Sequence, residues 1–272
     1  MTPVAARPAA LDRILALLAD PPADPDTGAG YLDLLGPVDE PAPTLAQSVM
    51  RSSFLPRIYE RVWRPVGFNL AKGWPAGPDT AAEQALLRRR LGLGARRPCR
   101  DAGTGDRPDA TVLDIACGPG NVTRALACGV GPGGLVVGLD AAPRMLARAA
   151  AEPVPQDGPA IGYVRGDAVD LPFADATFDA VCCSGALYLF ADPWAALDAM
   201  TRVLRPGGRL VILTSRRPRL PVTGLTVSTA GRAAGIRVFG DAEVTGALAG
   251  RGFADVRRDR YPLAQIVTGR RV

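Results

Sequence analysis

The chain of 272 residues contains no histidine. That excludes a histidine general base, the Ser-His and Cys-His nucleophile pairs, and any histidine-bearing metal site. Of 32 basic residues only Lys72 is a lysine, so the net charge of +5 rests on arginine. Alongside many Ala, Gly and Pro residues, this bias reads as coding preference of a GC-rich genome. Aromatics make up only 6% of the chain. No basic run is interleaved with them in the way base stacking on nucleic acid needs. No apolar run approaches the roughly 18 residues that span a membrane. No basic start with an apolar core marks a secretory signal, so the cytoplasm is the expected location. The five cysteines are Cys99, Cys117, Cys128, Cys182 and Cys183. Their odd number and the lack of C-x-x-C spacing argue against a disulfide framework or a zinc site.

The charge that is present is uneven. Residues 1–50 hold seven acids and two bases, and residues 51–108 hold twelve bases and five acids. Residues 109–215 are acidic by four, and 216–272 are basic by seven. Two basic segments raise RNA as a partner, but without interleaved aromatics they read better as solvated arginine faces. Arg88, Arg89 and Arg90 end a helical pattern, where cations suit the helix dipole.

The densest signal is Thr111–Asn121, TVLDIACGPGN, followed by Leu135–Asp140, LVVGLD. Val112–Ile115 is short, apolar and partly β-branched, as a buried parallel strand requires. Gly118 and Gly120 allow a sharp turn and a close ligand approach. Asn121 or Thr123 is the expected cap of the helix that follows, whose free N–H groups form a positive end. Asp140 closes the next strand twenty residues after Gly120, where a carboxylate can accept ribose hydroxyls. This builds a pocket for a nucleoside-bearing cofactor. A dinucleotide fingerprint wants a third glycine where Val122 or Thr123 stands. Asp114, just before the turn, disfavours a pyrophosphate and suits a cation.

Four blocks then stand in order: LDIACGPG, GLDAAPRMLARA, VRGDAVDLPFADATFDAVCCSGALYLFADP and VLRPGGRLVI. Together they resemble class I S-adenosylmethionine-dependent methyltransferases of the small-molecule group, over roughly Thr111 to Ser215. The resemblance implies an α/β fold: a Rossmann-like, doubly wound sheet of seven strands. Its strand order is 3-2-1-4-5-7-6, with strand 7 antiparallel. It implies S-adenosylmethionine as cofactor and S-adenosylhomocysteine as product. Asp114 and the turn through Ala116, Cys117, Gly118 and Gly120 would face the methionine end. Asp140 would hold the ribose, Ala141 beside it would also bind the cofactor, Met145 would pack on the adenine, and Asp167 with Ala168 would receive its edge. Cys183 and Ser184 would border the transfer site, with Gly185 beside them. Many relatives carry glycine where Ala116 stands.

The resemblance also implies a lid before the first strand, where Tyr59, Trp63, Phe68 and Trp74 would line an apolar acceptor pocket and Tyr59 would touch the cofactor. Tyr188, in the segment Ala186–Phe190, is the candidate polar group beside the acceptor; its alternative is plain aromatic packing. The acceptor is expected to be small and fairly apolar, resembling a secondary metabolite or lipid, with nucleic acid an unlikely partner, in a monomer or homodimer. The competing functions are a cofactor-retaining, non-methylating catalyst of cyclisation and an rRNA methyltransferase.

The chain divides into a helical lid region (1–92), a flexible linker (93–109) and the cofactor domain (110–272). Within it, helices are expected at Ala9–Ala19, Gln47–Arg64, Thr80–Leu91 (capped by Asp79 or Thr80) and Asp241–Ala249. Asp20–Pro43 is expected to be a loop. The Gly30–Leu35 stretch faintly resembles methyltransferases with a small N-terminal metal domain, whose cysteines are missing here. Arg216–Val238 is expected to be an insertion with a short lid helix. A terminal hairpin is expected at Val256–Tyr261 and Gln265–Arg270.

Overall fold

The computed structural model describes residues 8–36, 69, 71–73, 77–94, 109–154, 157–218 and 235–272. The expected helix at Gln47–Arg64, the pocket residues Tyr59, Trp63, Phe68 and Trp74, residues 95–108 of the linker and residues 219–234 of the insertion lie outside them.

Numbered by described elements, the helices are α1 (Pro8–Leu15), α2 (Thr80–Leu91), α3 (Asn121–Ala127), α4 (Pro143–Ala151), α5 (Pro193–Val203) and α6 (Glu243–Ala249). The strands are β1 (Leu32–Asp33), β2 (Thr111–Ile115), β3 (Leu135–Asp140), β4 (Ala160–Arg165), β5 (Phe178–Ser184), β6 (Leu204–Ser215), β7 (Phe253–Arg260) and β8 (Ala264–Arg271). They form one sheet in the order β1-β4-β3-β2-β5-β6-β8-β7. Without β1, this is the expected seven-strand order, with β8 antiparallel to both neighbours. The strand count needs correcting to eight. Leu32 and Asp33 add a short parallel edge beside Val164 and Arg165, inside a stretch whose Pro, Asp and Gly content reads as loop.

Helices cover both faces. Against one pack Ile14 and Leu18 at the α1 end, Leu197 and Met200 of α5, and Val244 and Leu248 of α6. Against the other pack Leu87 and Leu91 of α2, Val122 and Leu126 of α3, and Leu146 and Ala149 of α4. The strands are buried on both sides, so they read as continuous apolar runs rather than alternating ones. Residues 8–36 and 80–93 therefore contribute to the same core as the cofactor domain. Leu93, placed at the start of the linker by composition, is fully buried.

Local chemistry sets the helix ends. The Asp79 carboxylate accepts the Ala82 amide at 2.7 Å, and Gly92 closes α2 in the left-handed region at φ 75°. Asp192 caps α5 by accepting from the Trp194 and Ala195 amides. The expected cap of α3 needs correcting. Gly120 occupies that place, while Asn121 accepts from Arg124.

The arginines are less solvated than their composition suggests. Arg88 is buried and donates to the Ala125 carbonyl, tying α2 to α3. Arg90 makes a forked pair with Asp259 of β7. The lone lysine, Lys72, is buried in an ion pair with Glu83 of α2. Cys117, Cys182 and Cys183 are free and buried. Cys128 is disulfide-bonded, a cross-link that the cysteine spacing did not announce.

Phe173 and Phe178 meet edge to face at 4.9 Å between centroids, both fully buried, where Leu18 also pairs with Phe173. Phe173→Ala is expected to cost about 3–5 kcal/mol, read by urea denaturation. A loss below about 1 kcal/mol would mean that the α1 end does not pack there.

Candidate active site

The parallel register lines up three strand ends. Ile115 sits beside Leu139 on one side and Cys183 on the other. The order of strands reverses at β2, which is where open α/β sheets bind ligands. The Ala116–Gly120 turn, Asp140 and Ser184 all emerge at this edge.

The turn is built from left-handed residues: Ala116 at φ 53°, Gly118 at φ 55° and Gly120 at φ 77°. For an alanine this conformation costs roughly 1–2 kcal/mol, so Ala116 stores strain that a glycine would not. The turn is stitched to β3. Cys117 N–H donates to the Leu139 carbonyl at 3.0 Å, and Gly118 N–H donates to Asp140 Oδ2 at 2.8 Å. Asp140 Oδ1 accepts the Ala142 amide at 2.8 Å. One carboxylate thus joins the loop after β2 to the loop after β3.

The two glycines do different jobs. A Cβ on Gly118 would meet nothing within 4 Å, so this peptide faces open space. A Cβ on Gly120 would stand 2.4 Å from Tyr163 Oη. Tyr163, of β4, fills the space behind the turn and also lies against Gly138. Burial pushes its phenol up to about 12. Spacing gave no sign of Tyr163; a glycine inside β3, at Gly138, was the available signal.

Asp114 is 1% exposed and accepts from the Thr123 hydroxyl at 2.7 Å. It sits beneath the turn, bracing the start of α3. Its charge still reaches the edge: after burial, it is the next cause raising the Cys183 thiol to about 12. Burial likewise pushes the Cys117 and Cys182 thiols well up. Met145 is half-buried on α4 and Ala141 exposed. Asp167 is exposed, its Oδ1 accepting the Val169 amide, and Ala168 is buried. Cys183 is fully buried, and Ser184 ends β5 with a buried Oγ that has no hydrogen-bond partner among the described residues. Tyr188 is half-buried in a short 3-10 turn, Leu187–Leu189, and its carbonyl accepts from Arg237 N–H.

The profile of the methyltransferase-domain family matches residues 113–212, the span that carries every part of this edge. Over that span the domain match and the fold support a class I S-adenosylmethionine-dependent methyltransferase. A demethylmenaquinone methyltransferase of Staphylococcus aureus is 39% identical over 127 residues, 47% of this chain and 51% of that protein. The chain spans about half the length of the curated relatives it matches. Among solved structures, the YcgJ protein of Bacillus subtilis aligns with TM-score 0.54 at 18% identity, covering 69% of this chain and 97% of that one. A geranyl diphosphate methyltransferase in complex with GPP and sinefungin aligns with TM-score 0.55 at 18% identity, covering 71% of this chain and 79% of that one. At these identities the structural matches speak for the fold.

The residues present fit S-adenosylmethionine, the cofactor of this domain class. Gly118 leaves its side of the turn open, and the buried Ser184 Oγ has no hydrogen-bond partner among the described residues.

Gly120→Ala is expected to lower stability by at least about 2 kcal/mol, combining left-handed strain with the Tyr163 clash. Adding Tyr163→Phe should recover part of it. Denaturation of both variants checks this; a loss below about 0.5 kcal/mol for Gly120→Ala contradicts the packing.

Proposed function

We propose that this protein transfers a methyl group from S-adenosylmethionine to a small, largely apolar acceptor. The observation that carries the reading is the turn stapled by Asp140 with Asp114 buried beneath it: an edge made for a nucleoside that bears positive charge. Bound there, the cofactor supplies an already activated methyl on its sulfonium, which an acceptor displaces in line.

The chain's own residues bind and orient. A carboxylate has room for about four hydrogen bonds, so Asp140 can take ribose hydroxyls while it keeps both loop amides. Ala141 and Met145 border the adenine, and Asp167 and Ala168 receive its edge. Gly118 lets the methionine portion lie on the backbone, with Ser184 Oγ donating from the β5 side. Asp114 favours the sulfonium through its field. Cys183 and Tyr163, both raised to about 12 by burial, hold their protons at neutral pH. No imidazole exists to replace them. Transfer therefore rests on positioning, with Tyr188 as the polar group beside the acceptor and Tyr59 against the cofactor. The apolar acceptor is supported by the demethylmenaquinone methyltransferase likeness and by the lid aromatics. The sequence division into lid, linker and cofactor domain supplies the cover.

Methyl-labelled S-adenosylmethionine, incubated with the protein and extract of the producing cell, tests this. Label is expected in the organic-soluble fraction, and Tyr188→Phe is expected to reduce it by about tenfold, the effect of one lost hydrogen bond. Label in RNA alone overturns the small acceptor. No transfer, with cofactor binding intact, overturns methylation. Full activity of Tyr188→Phe removes that residue's role.

A further inference from the structure

Arg165 closes β4 and has no part in the chemistry above, yet its side chain is only 6% exposed. A guanidinium is costly to bury unless its donors are used. Here they tie three segments together. Nη1 donates to both oxygens of Asp33, at 2.8 and 3.1 Å, and to the Gly36 carbonyl at 2.6 Å. Nε donates to the Ala141 carbonyl at 3.2 Å.

Asp33 is itself well held. Its Oδ1 accepts the Leu35 and Gly36 amides. Its backbone N–H donates to the Asp26 carbonyl, and Leu34 N–H donates to the Arg165 carbonyl. Tyr31, just before, is buried in the core on the Tyr163 side. Residues 26–36 therefore form a strap along the open edge of β4. Arg165 links it by side-chain hydrogen bonds to the loop that follows Asp140.

The peptide that Arg165 reaches matters. Ala141 lies between Asp140, which staples the turn, and Ala142, whose amide that same carboxylate accepts. Ala142 also stands at the N-cap of α4, with no side-chain cap bond of its own. The β3–α4 loop is thus held from the site by Asp140 and from behind by Arg165. Slack at Ala141 would move the carboxylate assigned to the ribose.

We propose that Arg165, paired with Asp33, is a positioning residue for the nucleoside half of the cofactor, so that the strap of residues 26–36 sets cofactor affinity without touching the cofactor. This rests on the reading of the Asp140 edge as the S-adenosylmethionine site. The pair acts on the ground-state fit of the nucleoside, so it shifts affinity and leaves turnover at saturation alone.

The test uses the full chain and three variants: Asp33→Ala, Asp33→Asn (same shape, no charge) and Arg165→Lys (same charge, no fork). Calorimetry with S-adenosylhomocysteine is expected to show Kd raised about tenfold in Asp33→Ala and Arg165→Lys, and less in Asp33→Asn. 5′-Methylthioadenosine, which lacks the amino-acid end, should weaken by the same factor. Hydrogen exchange of the cofactor-free protein should quicken at amides 141–146 as well as in the strap. If Asp33→Ala does not fold, the other two variants carry the comparison. Unchanged Kd in folded variants, or faster exchange confined to residues 26–36, overturns the inference while leaving the site reading intact. A wild-type protein that binds neither ligand overturns the site reading, and the inference with it.

Discussion

The carboxylate of Asp140 is the joint on which the functional edge depends. It accepts one amide from each of two loops, that of Gly118, 22 residues before it, and that of Ala142, two residues after it. A turn with left-handed residues at 116, 118 and 120 does not hold its shape unaided. Ala116 in particular would relax if the turn were free. The amide bonds to Leu139 and Asp140 over-determine the turn, and the strain becomes preorganisation: the open side of Gly118 is fixed before any ligand arrives.

The sheet makes that joint possible. Registers of β2 with β3 and β5 bring Ile115, Leu139 and Cys183 level, so three loops start from one line. Beneath them, Asp114 and Thr123 brace the helix start, and Tyr163 fills the space that a glycine at 120 leaves. Asp114 and Thr123 satisfy one another's polar groups in this brace. The outer layer follows the same logic with arginine: Arg88, Arg165 and Arg216 spend their donors on backbone carbonyls and carboxylates of distant segments.

Much of this was legible in sequence because it is local. Apolar runs bounded by Gly and Asp mark β2 and β3, Asp79 marks the start of α2, and the terminal hairpin shows its alternation. The order of the seven main strands followed from the family resemblance, not from periodicity. What could not be read is what depends on distant pairing. β1 is two residues long, and nothing in GYLDLL says that it lies beside β4; its anchor, Asp33 to Arg165, spans 132 positions. That Asp114 also braces α3 through Thr123 was not legible either, because it depends on strand alternation placing the carboxylate under that helix. Asn121 looked like a cap, yet the turn geometry puts Gly120 there. Leu93 sits in linker-like composition and is core, because α2 ends against the sheet.

The most direct measurement is the structure of the protein with S-adenosylhomocysteine bound. The expected result places both ribose hydroxyls within about 2.6–3.0 Å of the Asp140 carboxylate, while that carboxylate still accepts the Gly118 and Ala142 amides, with the thioether sulfur over the open side of Gly118. A ribose held elsewhere, or an Asp140 that must release the two amides to bind it, would contradict the central assignment.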